Sequence, residues 1–326
     1  MTDRRRFFGS AAAAAATGAA YWNLFGPSYG RSYRQSHSKV AVLDASQYSD
    51  QLEPLLMHAL QLFDLPIKNC AVLLKPNLVE NLPGAPVNTH PVLVGAAATC
   101  FLRLGARQVV VAEGPGHERD TELILSETGF AQELRRRGIG FVDLNRDELA
   151  EVKLRANYSG LGRLWLPTSV LKSEFIVSMP KVKTHHWTGV TLSMKNMFGI
   201  VPGMKYGWPK NTLHWHGIHE SILDICATVP ISFVIADGIE AMEGNGPLQG
   251  DLRRLGRIVL SDDPVAADAA CARLMGLNPA SVRHIAEGGK FLGNLDENRL
   301  LMLGENPQRT QVPFRLLPEF RYLRAE

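Results

Sequence analysis

Short apolar runs of strand length alternate with stretches of helical apolar spacing along most of the chain, and this alternation limits the fold more than any other feature. Residues 39–44 form a strand-sized run, 52–63 carry apolar residues at helical spacing, and 71–74 form a second strand. The order continues as a helix over 91–104, a strand over 109–112, a helix over 121–137 and a strand over 140–144. Such βαβ alternation predicts an α/β fold with a mostly parallel, doubly wound sheet covered on both faces. Residues 152–167 break the pattern and read as an inserted hairpin or irregular excursion. A strand over 175–179 and a glycine-rich stretch through Trp208 follow. A helix over 218–226, strands over 231–236 and 257–260 and a helix over 265–275 restore the alternation. With 326 residues, 45% of them hydrophobic, the chain can bury a large core. The expected organisation is a single α/β domain over 39–305 with a C-terminal tail over 306–326.

The first twenty residues have a different character. Arg4-Arg5-Arg6-Phe7-Phe8 is a basic start, an alanine-rich and weakly hydrophobic stretch runs from 9 to 20, and small residues suit cleavage. Two adjacent arginines, a spacer and two phenylalanines match the twin-arginine consensus, so the expected partner during export is the twin-arginine translocase and the expected location is the periplasm. An ordinary secretory signal would have a more leucine-rich core. Cleavage after Ala20 and retention as an N-terminal anchor are both open. Residues 21–38, rich in Gly, Ser, Tyr and Arg, read as a linker. Without the leader, the formal charge of +3 falls to about +1, which gives no basis for nucleic-acid binding. Downstream, no apolar run approaches the roughly 20 residues that span a bilayer. Cys70, Cys100, Cys226 and Cys271 are scattered with no Cys-x-x-Cys and lie in apolar runs. They read as buried thiols rather than as ligands of an iron–sulfur cluster.

Five apolar runs end in polar residues. Leu73-Leu74 leads to Lys75-Pro76-Asn77, Val110-Val111-Ala112 to Glu113-Gly114, and Ile176-Val177-Ser178-Met179 to Pro180-Lys181. Val234-Ile235-Ala236 leads to Asp237-Gly238, and Ile258-Val259-Leu260 to Ser261-Asp262-Asp263. Ligands of open α/β sheets bind just outside the carboxyl ends of strands, where loops converge and helices present their N-terminal amides. Strands also end in polar residues merely because they reach the surface. Five such ends, most beside glycine or proline, predict a ligand cleft.

Six segments occur in a fixed order: Lys75-Pro76-Asn77-Leu78, Glu113-Gly114-Pro115-Gly116, Pro180-Lys181-Val182-Lys183-Thr184-His185, Met194-Lys195-Asn196-Met197-Phe198-Gly199, Asp237-Gly238-Ile239 with Met242-Glu243-Gly244-Asn245-Gly246-Pro247, and Asp263-Pro264-Val265-Ala266-Ala267-Asp268. Together they resemble the uncharacterised family catalogued as domain of unknown function 362, over residues 39–276. The family name supplies no reaction. Some relatives carry a ferredoxin-like segment with cysteine-ligated clusters, which implies redox chemistry and a redox partner protein. This chain departs from them by lacking those cysteines.

Lys181, Lys183 and His185 alternate, so a strand continuing past Pro180 would point all three the same way. Two lysines on one face depress each other's ammonium pKa unless an anion lies between them, which predicts an anion cradle or an activated lysine. A solvated edge strand is the plain alternative. Lys195 and Asn196 could add a charge and an amide. Among His214, His216 and His219 no single backbone conformation aligns all three as zinc ligands, and the family-like pattern favours His214 as the site residue. Asp237, Glu240 and Glu243 follow a strand and could share a cation or divide acid and base duties, or merely start a helix. Asp263 before Pro264 reads as an N-cap, whereas Asp268 inside an alanine-rich helix asks for another role. The catalytic candidates are therefore Lys181, Lys183, His185, Asp237 and Glu243. The ligand- or cofactor-binding candidates are Lys75, Asn77, Glu113, Lys195, Asn196, His214, Asn245 and Asp268. A metal site and the identity of any cofactor stay open. The chain has no G-x-G-x-x-G, P-loop, G-x-S-x-G or H-E-x-x-H motif, which disfavours standard dehydrogenases, P-loop enzymes, serine hydrolases and zincins. The expectation is an exported protein whose cleft binds an anionic small molecule or metal-bound cofactor, as an enzyme with redox-related chemistry or as a non-catalytic binding or accessory protein of a redox complex.

Overall fold

A computed structural model describes residues 36–325. The expected leader over 1–20 and nearly all of the linker lie outside the described residues. The strands are β1 (Ser38–Asp44), β2 (Ala71–Pro76), β3 (Gln108–Glu113), β4 (Gly140–Asp143), β5 (Leu149–Lys153), β6 (Arg163–Pro167), β7 (Phe175–Met179), β8 (Lys181–His185), β9 (Gly189–Thr191), β10 (Phe233–Asn245), β11 (Gln249–Ser261) and β12 (Leu300–Met302). Ten of them form one sheet in the order β12-β1-β11-β10-β7-β2-β3-β4, with β8 on the far part of β10 and β9 on β8. The run β10-β7-β2-β3-β4 is parallel, as the alternation predicts. β11 runs antiparallel to both β1 and β10.

Both sheet faces are covered. Successive residues of β7 point to opposite sides, so Ile176 joins one core while Phe175, Val177 and Met179 join the other. The helices Leu52–Leu60, Pro91–Arg103, Thr121–Glu127 and Phe130–Arg137 pack on the second face through Leu56, Val94, Ile124 and Phe130. The first face takes the helices Ile218–Thr228 and Pro264–Leu274 through Ile222 and Val265. The inserted hairpin, β5 with β6, packs there as well through Val152 and Leu164.

Three local expectations are corrected. The helix expected over 121–137 breaks at Gly129, whose φ of 79° is a left-handed value that suits glycine. The two short strands expected near 231–236 and 257–260 are the inner ends of 13-residue partners that turn at Gly246-Pro247. Their outer halves form a two-stranded ribbon carrying pairs such as Glu243 opposite Asp251, so polar residues hide its strand character. Cys100, Cys226 and Cys271 are buried free thiols, but Cys70 is only half-buried. Asp263 does cap its helix, accepting from the amides of Val265 and Ala266.

Candidate functional site

β2 and β3 are parallel neighbours, so Lys75 and Glu113 at their carboxyl ends meet as a fully buried ion pair. Asn196 clamps the pair: its Oδ1 accepts from Lys75 Nζ at 3.0 Å, and its Nδ2 donates to Lys75 O and Ser178 Oγ, each at 3.0 Å. Glu113 also accepts from the backbone amides of Gly114 at 2.9 Å and Leu78 at 3.3 Å. Gly199 lies against the pair, leaving no room for a Cβ. Glu113 is thus committed to Lys75 and to the backbone.

Beside this pair opens a cavity of about 310 Å³. Its lysines are Lys183 at 0% exposure, Lys210 at 2% and the half-buried Lys195. Lys183 Nζ donates to Val87 O at 2.8 Å and Pro247 O at 3.4 Å. Lys210 Nζ donates to Gly114 O and Phe198 O, both at 3.0 Å. Lys195 Nζ lies 4.5 Å from the centre of the Phe198 ring. Among the described residues none of the three has a carboxylate partner, and Glu113 is the one carboxylate in the cavity wall. Burial drives all three ammonium pKa values down. Lys183 falls well below the ordinary lysine value, helped by Lys195 and Lys181. Lys195 falls to about 8, with Lys75 adding to the effect of burial. Lys210 falls to about 7 despite the opposing pull of Glu113.

Two histidines bring opposite functions. His185 Nδ1 accepts from the Trp187 amide at 3.0 Å, which puts the proton of the neutral ring on Nε2. Burial, then the charge of Lys195, holds its pKa well below the usual histidine value, so His185 is a neutral donor. His214 Nδ1 lies 3.0 Å from Lys210 O, and a carbonyl only accepts, so the proton is on Nδ1 and Nε2 carries a lone pair. Burial lowers the His214 pKa too, against the bond to Lys210 O. Asn77 Oδ1 and Thr191 Oγ1 also lie in the wall, buried and without a hydrogen-bond partner among the described residues. Leu78, Phe198, Leu248 and the half-exposed Trp187 supply apolar wall.

Of the residues singled out in the sequence, Asn77, Glu113, Lys183, His185, Lys195, Asn196 and His214 line this cavity, and Lys75 lies directly behind it. The others do not share it. β8 continues past Pro180 as expected, but its register on β10 shifts between the Asp237 and Met242 pairings, and the Lys181 ammonium takes different partners from that of Lys183. Lys181 Nζ bonds Asp237 Oδ2 at 2.9 Å and Tyr48 Oη at 2.8 Å, and Tyr48 Oη also donates to Asp237 Oδ1 at 2.8 Å. The Asp237 carboxylate is fully buried in that network and accepts from the His90 amide as well. Glu243 and Asn245 lie on the β10–β11 ribbon, where Glu243 accepts from the Arg315 amide at 2.9 Å and Asn245 donates to Gln249. The acids after Ala236 lie on a strand, so the helix spacing that would group Asp237 with Glu243 does not apply. Asp268 accepts from the amides of Ser193 and Met194 and so anchors the segment that carries Lys195. Burial raises its pKa to about 7.

Lys210 escaped the sequence reading, as did Thr191. Lys210 sits in an irregular stretch and adopts a left-handed backbone with φ of 73°, unusual for a side chain of its size. Its signal in the sequence is only a lysine after Gly207-Trp208-Pro209. Among the described residues no three His, Cys, Asp or Glu side chains are grouped to hold a metal ion.

Comparison with known proteins places these features in context. A thylakoid-associated protein of Synechocystis sp. is 27% identical over 256 residues, covering 75% of this chain and 71% of the relative. A crystal structure of a protein from Thermotoga maritima aligns with 64% of this chain at 15% identity and a TM-score of 0.40. The lactate racemase apoprotein from Thermoanaerobacterium thermosaccharolyticum aligns with 63% at 12% identity and a TM-score of 0.39. The chain spans 55% and 51% of the lengths of those two structures. The model of the family described as "Domain of unknown function (DUF362)" matches residues 72–273, from the strand that carries Lys75 to the helix that holds Asp268, and the chain belongs to that family.

Proposed function

We propose that this protein binds an anionic small molecule, bearing a carboxylate or phosphate group, in the cavity walled by Lys183, Lys195 and Lys210. One observation carries the reading: three buried or half-buried lysines line one cavity, while its single carboxylate is already spent on Lys75. Removing an ammonium from water without a counter-ion costs roughly several kcal/mol, and a bound anion offsets that cost. The unpartnered Asn77 Oδ1 and Thr191 Oγ1 call for polar partners in the same space. The anionic groups of a metal-bound cofactor would engage the same lysines. If turnover occurs, His185 Nε2–H can donate to a developing negative charge while His214 Nε2 takes a proton.

Export by the twin-arginine route is part of the proposal and rests on Arg4-Arg5-Arg6-Phe7-Phe8. A second reading, a binding or accessory protein without turnover, draws on the Synechocystis relative named as thylakoid-associated. Titration of tryptophan emission with oxalate tests the shared core of both, because Trp187 stands at the cavity wall. Saturable binding that weakens with salt and drops more than about tenfold in Lys183→Met is expected. Equal binding by the variant, or none by either protein, would refute the anion cavity. Recovery of oxalate-competed metabolites unchanged after incubation would favour the second reading over an enzyme.

A further inference from the structure

The three cavity lysines are held differently. Lys183 Nζ and Lys210 Nζ each donate to two backbone carbonyls, which fixes both nitrogens in place, and a bound acid group that recharges them meets the third N–H of each ammonium. Lys195 Nζ has no hydrogen-bond partner among the described residues and lies over the Phe198 ring. His214 packs on the same ring with centroids 5.2 Å apart, and its Nε2 carries the lone pair left by the bond from Nδ1 to Lys210 O. An untethered primary amine, a base beside it and two fixed anchors for an acid group therefore share one cavity.

We propose that Lys195 is a nucleophile that forms an imine with the carbonyl carbon of a small oxo acid, whose acid group lies against Lys183 and Lys210. This inference rests on the anion reading above. The Nζ lone pair attacks the carbonyl carbon, and the C=O π pair moves to oxygen. One N–H proton moves to that oxygen to give the carbinolamine. His214 Nε2 takes the second N–H proton and returns it as the hydroxyl leaves. One C=N bond forms, one C=O and two N–H bonds break, water is released, and no electrons are gained or lost. Burial and Lys75 bring the Lys195 pKa to about 8, so near that pH about half the amine is neutral, against under about 1% for an ordinary exposed lysine.

The test uses glyoxylate and cyanoborohydride at pH 8 on the full chain. Hydride adds to the imine carbon and a proton to nitrogen, leaving a stable adduct whose mass is that of the acid less one oxygen. Peptide mapping should find Lys195 labelled more than about tenfold over the exposed Lys68 and Lys290, with the excess removed by oxalate. Lys195→Arg, which keeps the charge, should bind oxalate but show no cavity adduct. Label on Lys195 no greater than on Lys68 and Lys290, or label on Lys183 or Lys210 instead, overturns the assignment. Oxalate binding with Lys195 unlabelled defeats the imine alone, and failure to bind oxalate defeats the reading beneath it.

Discussion

Lys181 and Lys183 are two residues apart on one strand, yet burial has opposite meanings for them. Lys181 is matched by Asp237 and Tyr48, whereas Lys183 meets only carbonyl oxygens. Asp237→Asn should therefore leave the Lys181 ammonium buried without a counter-charge and cost about 3–5 kcal/mol, read from urea unfolding. Oxalate binding per folded molecule should persist in that variant, because Asp237 does not line the cavity. Lys183→Met relieves the burial of a group whose ammonium form is strongly disfavoured but strands Val87 O and Pro247 O, two effects of similar size. Its stability should stay within about 1 kcal/mol of the parent while oxalate affinity collapses. A loss of more than about 3 kcal/mol would mean that Lys183 is there chiefly to hold the fold.

The elements that converge on the cavity were legible to unequal degrees. β2, β3 and β7 are continuous apolar runs because both their faces are buried, so their polar ends, and with them Lys75, Asn77 and Glu113, stand out in the sequence. The β10–β11 ribbon leaves the core, and its charged outer half concealed a strand that carries Glu243 away from the cavity. Lys210 is delivered by short turns with no periodicity to betray them. Sequence adjacency to a strand end shows that a residue reaches the rim of the sheet, but register decides which space its side chain enters, as Lys181 and Lys183 demonstrate. The segment 193–199 joins the two levels: Asp268 holds its start, Lys195 and Asn196 face the site, and Gly199 closes on the Lys75–Glu113 pair. Gly199→Ala should force those two side chains apart and lower stability by about 1–3 kcal/mol, seen as an earlier thermal transition. An unshifted transition would show that the pair has slack.

For the whole molecule, unmatched lysines make stability depend on pH with a definite sign. A lysine whose folded pKa lies below its unfolded value binds more protons in the unfolded chain between the two values, so stability rises with pH across that window. The values of about 7 for Lys210 and about 8 for Lys195 open the window near pH 7. Above pH 9 the raised thiol of Cys100, pushed up to about 12, acts in the opposite direction. Between pH 7 and 9 these two lysines should add about 3–4 kcal/mol to the ligand-free protein, and saturating oxalate should flatten that rise by keeping the ammoniums charged. At the other end of the chain, Arg4→Lys with Arg5→Lys should leave folded protein in the cytoplasm, and unchanged export on cell fractionation would contradict the twin-arginine assignment. The central claim, that a bound anion supplies the counter-charge missing around these lysines, is tested most directly by calorimetric titration with oxalate at pH 8 in two buffers of different ionisation enthalpy. Uptake of at least about one proton per oxalate bound is predicted, because at pH 8 Lys195 is about half neutral and Lys210 mostly so, and binding recharges both. Binding heats identical in the two buffers would contradict it.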